Sequence, residues 1–121
     1  SDDRKQAIAE FLKFALEQLD CEKKPKIKLV TDNDVVQHYK SFGGTNIETG
    51  EIWVYIGNRN LADILRTFCH ELVHFKQFVD GRIKGPEDGK TGSDLENEAN
   101  SQAGIILRHY GKVKPAIFES K

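Results

Sequence analysis

Residues 61–79 read LADILRTFCHELVHFKQFV. Leu61, Ile64, Leu65, Phe68, Leu72, Phe75 and Val79 recur at the three- and four-residue intervals of one helix face. The spacing predicts a helix from about Asn60 to Val79, closed by Asp80-Gly81. Inside it stands His70-Glu71-Leu72-Val73-His74, an H-E-x-x-H pattern. At about 100° per residue, His70 falls about 180° and His74 about 220° from the apolar stripe. The two imidazoles therefore share one face, about 6 Å apart in rise. Two imidazoles so placed can aim at one ion about 2.0–2.1 Å from each. Glu71, about 100° round from His70, can reach a water at such an ion without ligating it. Two histidines and a Glu can also be ordinary residues of a solvated face. Here the length of the helix, the apolar strand before it and a carboxylate-bearing helix after it favour the metal-site reading.

Working outward, Arg4 to Leu19 carries Ile8, Phe11, Leu12, Ala15, Leu16 and Leu19 at helical spacing, with Asp2 or Asp3 as cap. Lys26 to Val30 alternates as a short strand, and Asp32 to Phe42 reads as a short helix stopped by Gly43-Gly44. Thr45 to Tyr55 reads as a hairpin turning at Glu48-Thr49-Gly50-Glu51, with Gly50 at positive φ and Ile52 to Ile56 as second strand. Arg82 to Ser93 is a glycine-rich loop. Ser93 or Asp94 caps a last helix ended by Gly111 after Tyr110, and Lys112 to Lys121 is a tail. The expected fold is α+β in one domain spanning residues 1–121, with a small, mostly antiparallel sheet.

A hydrolytic zinc site takes three protein ligands and leaves a position for water. No His follows soon after His74, so a carboxylate must complete the set, and Glu96 and Glu98 are the choices. Taking Leu95, Ala99, Gln102, Ala103 and Ile106 as the packed face puts the two on its opposite edges and leaves both open. Either can equally be a first-turn carboxylate that favours the helix dipole. Gln102 lies one turn beyond Glu98 and can support a ligand.

These segments resemble the gluzincin-type zinc metallopeptidases. The carriers are Thr45 to Tyr55, Leu65 to His74 and Asn97-Glu98-Ala99-Asn100-Ser101. The likeness is to the reduced, single-domain form called minigluzincin and to the small zinc peptidases of tailed bacteriophages. More distantly it extends to peptidases that cleave phage repressors. The resemblance implies a zincin-like fold, one Zn2+ bound by His70, His74 and Glu98, and Glu71 as general base. It also implies a peptide or protein substrate held in extended form along strand 52–56. Larger gluzincins often carry Asp four residues after the third ligand, where this chain has Gln102. The oxyanion stabiliser is left among His38, Tyr39, Tyr55, His109 and Tyr110, with His109 disfavoured by its distance along the helix.

Composition narrows the field. The chain has 121 residues, 31% of them charged, with Lys+Arg 18, Asp+Glu 19 and a formal net charge of −1. That balance gives no electrostatic footprint for nucleic acid or an anionic membrane. No apolar run is long enough to span a bilayer, and no signal peptide is expected. Cys21 and Cys69 cannot make a disulfide framework, so a reduced, cytoplasmic setting is expected, that of a phage-infected host if the resemblance holds. A monomer is expected. Cys69 reads as a buried small hydrophobe, Trp53 as core or sheet face, and Arg66, Lys76 and Gln77 as a solvated face. Two other functions compete with a peptidase: a catalytically silent zinc-binding module and a non-peptide metal amidohydrolase.

Overall fold

The computed structural model describes residues 2–83 and 93–118. Its elements are α1 (Asp2–Gln18), β1 (Ile27–Val30), α2 (Asn33–Tyr39), β2 (Gly43–Thr45), β3 (Ile52–Tyr55), α3 (Leu61–Val79) and α4 (Asp94–Val113). A 3₁₀ turn at Pro115–Phe118 follows. The class is α+β, as the order of patterns predicted. The sheet is mixed, however, and not mostly antiparallel. Its order is β1-β3-β2, with β1 parallel to β3 and β2 antiparallel to it. The chain between β1 and β3 carries α2 and the whole of β2, long enough for the crossover a parallel pair requires.

α3 is the hub, packing on α1, α4, β2 and β3. Asn60 caps it by accepting from the Asp63 amide, and Gly81 leaves it at φ 74°. Phe68, Leu65, Leu72 and Ile64 are fully buried in the core with Phe11 and Ala15 of α1 and Ile52 and Val54 of β3. Tyr110 of α4 closes that core, edge-on to Phe11 at 4.9 Å between ring centroids. No helix among the described residues is long and apolar enough to cross a membrane.

Several boundaries differ from expectation: α1 already includes Asp2 and Asp3, which were expected as caps, and β3 ends at Tyr55. α2 ends at Lys40, which turns left-handed at φ 52°, and Gly43-Gly44 belong to β2. A Cβ on Gly43 would lie 2.7 Å from Thr67 Cγ2, so glycine here lets β2 lie close on α3. The hairpin loop accordingly spans 46–51, with Gly50 at φ 79° as predicted. α4 runs through Gly111 to Val113, and its stop is Pro115. The loop expected at 82–93 lies, over 84–92, outside the described residues.

Candidate metal centre

Among the described residues, one group of three His, Cys, Asp or Glu side chains has converging ligand atoms: His70, His74 and Glu96, all within 4.8 Å of one another. The histidines come from adjacent turns of α3, and Glu96 from the first turn of α4, which Ser93 caps. Glu96 Oε1 lies 3.1 Å from His70 Nε2 and 2.8 Å from His74 Nε2. Tetrahedral ligands about 2.0–2.1 Å from an ion stand about 3.3 Å apart, so the spacing is close to what an ion needs.

The hydrogen-bonding roles of His74 sharpen that fit. Gln77, fully buried, directs its Nε2 at two acceptors, the Leu95 carbonyl at 3.0 Å and Glu98 Oε1 at 3.0 Å. Its Oε1 must then face His74 Nδ1, 2.8 Å away, and accept that hydrogen. With its hydrogen on Nδ1, a neutral His74 turns the Nε2 lone pair toward an oxygen of Glu96. Two such acceptors in contact need a positive charge between them, either a proton or a metal ion.

Glu71 stands beside this group. It is buried, 7% exposed, and accepts from Thr45 Oγ1 at 2.8 Å. Burial pushes its carboxyl above the ordinary range; His70, the Thr45 hydrogen bond and His74 oppose the rise, and Glu96 adds to it. His70, Glu71, His74 and Glu96 line an open cleft of about 250 Å³ together with Ser41, Gly43, Gly44, Thr45, Ile47 and Ile83.

The structure therefore brings together His70, Glu71 and His74 as predicted, but not Glu98. Arg82 grips Glu98 with both guanidinium nitrogens, Nη1 to Oε1 at 2.8 Å and Nη2 to Oε2 at 2.9 Å. The guanidinium, and after it the Gln77 amide, hold the Glu98 carboxyl below its ordinary range. Glu98 is thus engaged on the far side of Gln77, and it is Glu96 that converges with the two histidines. The buried stripe of α4 is Ala99, Ala103, Ile106, Leu107 and Tyr110. By helix geometry Glu96 sits about 35° from the centre of that stripe and Glu98 about 125° away. Gln102, expected on the packed face, is exposed, and its inclusion had tilted that face toward Glu98.

Other expectations shift as well. Gln77 is not on a solvated face; it is buried against His74. Cys69 is fully buried, and burial pushes its thiol up to about 12, which suits a small hydrophobe. Trp53 is half-buried on the sheet, its ring 5.4 Å from that of Tyr39. None of His38, Tyr39, Tyr55, His109 and Tyr110 lines the cleft: Tyr110 and Tyr55 are buried elsewhere, and the other three are exposed. β3 cannot take a substrate strand along 52–55, because β1 and β2 occupy both its edges. The outer edge of β2 borders the cleft instead. Tyr55 N donates to Phe42 O and Asn46 N to Glu51 O, so ladder alternation turns the backbone groups of Gly43 and Thr45 away from β3.

The chain matches no family model, and neither a curated protein nor a solved structure matches it. The centre is known by its geometry alone.

Proposed function

We propose that the protein is a zinc-dependent peptidase in which His70, His74 and Glu96 hold the ion and Glu71 is the general base. The observation that carries the reading is Glu71. It is a carboxylate taken out of water, restrained by Thr45, lining the same cleft as the three candidate ligands. A closed structural site needs no such group, whereas hydrolysis needs a base whose affinity for a proton is raised toward working pH. The resemblance of the His70–His74 segment to gluzincins supports the same reading, with Glu96 in the place that likeness assigns to Glu98.

An ion at this site supplies Lewis-acid chemistry, polarising a carbonyl and acidifying a water. The rest falls to the chain. The outer edge of β2 at Thr45 aligns an extended peptide through backbone hydrogen bonds, as sheet edges do, while Ser41 Oγ engages both backbone groups of Gly43. Glu71 takes a proton from water as the oxygen adds to the scissile carbonyl carbon. It then delivers that proton to the amide nitrogen as the C–N bond breaks. Thr45 keeps the Glu71 carboxylate turned into the cleft during both transfers.

The test is a cleavage screen of zinc-loaded protein against peptide libraries, with Glu71→Gln as control. Gln preserves the shape and the contact with Thr45 but cannot accept a proton. Cleavage should fall by about 10²–10⁴-fold with zinc stoichiometry unchanged. A Glu71→Gln variant as fast as the parent overturns the mechanism. A parent that binds zinc and cuts nothing makes the silent zinc-binding module the better reading.

A further inference from the structure

We propose that Gln77 is a positioning residue of the metal centre, fixing which nitrogen of His74 is free to bind an ion. This rests on the metal site proposed above and explains how one of its ligands is held ready. A neutral imidazole carries its hydrogen on either nitrogen, and only the bare nitrogen can ligate. Left to solvent, His74 would divide between the two forms. In the fold both nitrogens face an acceptor, Nε2 the Glu96 carboxylate and Nδ1 the Gln77 carbonyl oxygen, each at 2.8 Å, and Gln77 is the group that draws the hydrogen to Nδ1 and leaves Nε2 for an ion.

That presentation is enforced from outside. Turning the Gln77 amide over would set its oxygen against the Leu95 carbonyl and the Glu98 carboxylate, both acceptors 3.0 Å from Nε2 as it stands. Glu98 is fixed in turn by the two-pronged contact with Arg82, which holds both of its oxygens as acceptors. The order Arg82–Glu98–Gln77–His74 is thus a directed chain of donors and acceptors with one consistent arrangement. It starts at a half-exposed guanidinium and ends at a ring nitrogen whose partner atom faces Glu96. Glu98, which contacts no candidate ligand directly, gains a role as the anchor of this chain.

Groups that orient a metal-binding histidine in this way are worth about 10–100-fold in metal affinity. The experiment replaces Gln77 by Met, which keeps the volume and removes both hydrogen-bonding functions. Two readouts are taken. The first is the tautomer of His74 in metal-free protein that also carries Glu96→Ala, which removes the competing acceptor at Nε2, from its ring nitrogen chemical shifts at pH 9, above the ordinary imidazole range. The second is the dissociation constant for zinc. In the Glu96→Ala background, protein with Gln77 should show Nδ1–H and Gln77→Met a mixture or Nε2–H; with Glu96 in place, Gln77→Met should lower zinc affinity by about 10–100-fold. A variant that merely loosened the packing would leave the tautomer in place. Unchanged tautomer and affinity in Gln77→Met overturn the proposal while leaving the zinc site standing. If the parent binds no zinc yet the tautomer shifts on mutation, the metal reading fails and the role of Gln77 in orienting His74 survives. Should Gln77→Met not fold, Glu98→Ala at the partly exposed end of the chain supplies the same readouts. It should mix the tautomers and weaken zinc severalfold, and a fixed Nδ1–H tautomer with full affinity would count against the proposal.

Discussion

The contact between α3 and α4 has two ends of opposite character. Toward the start of α3, Leu65 and Phe68 are buried in one cluster with Ile106, Leu107 and Tyr110, and Phe11 of α1 fills the remaining space. Toward its end, His70 and His74 meet Glu96 and Gln77 meets Glu98. The first end removes apolar surface from water and so supplies stability. The second buries polar groups, each of which must find a partner before its burial stops costing free energy. Among the described residues no buried side-chain nitrogen or oxygen lacks one. One pair of helices thus divides the labour, with a core at one end and a polar centre, closed on itself and open to a cleft, at the other.

That division can be broken at either end. Phe68→Ala should cost about 3–5 kcal/mol of folding stability, a large part of what a domain this size has, and unfold the centre along with the core. His70→Ala should cost the metal-free protein well under that, because its side chain is already partly exposed, while zinc binding is lost. Denaturant titrations of both variants without metal make the comparison. Equal losses of stability would mean that the polar end is also structural.

A smaller effect probes the outer end of the hydrogen-bonded chain. Glu98 has a folded-state pKa below its unfolded one, so its pairing with Arg82 stabilises the fold above the unfolded carboxylate pKa of about 4.3 and ceases to do so as pH falls through the folded value. Arg82→Ala should therefore lower stability at pH 7 by under about 1 kcal/mol, since both side chains are partly in solvent. The gap between parent and variant should close as the pH is taken below the folded pKa of Glu98. A gap that stays constant on acidification would show that Arg82 acts through packing rather than charge.

How far the sequence could be read depended on whether a residue's role is set within its own element. α3 was legible because seven apolar residues mark its buried face and the H-E-x-x-H pattern falls opposite them. Its start near Asn60 and its close at Asp80-Gly81 stood where expected. The hairpin was legible from Gly50, but not the start of β2. Gly43 and Gly44 look like a helix stop until the fold shows what crowds them, Thr67 of α3 at Gly43 and the Trp53 ring of β3 at Gly44. The third candidate ligand turned on one misplaced residue. With Gln102 counted as buried, Glu96 and Glu98 are symmetric about the packed face; with Leu107 in its place, Glu96 continues the stripe through Ala99 and Ala103. Gln77 was invisible for a different reason. Its burial depends on α4 crossing that turn of α3, and nothing in the local pattern of α3 records where another helix will lie.

The central claim is the identity of the three ligands, and a zinc titration of three proteins tests it most directly. The parent should bind one zinc per chain. Glu96→Ala should lose tight binding, whereas Glu98→Ala should keep the full stoichiometry with affinity reduced only severalfold. Loss of zinc in Glu98→Ala with retention in Glu96→Ala would contradict the account, and so would a parent that takes up no zinc.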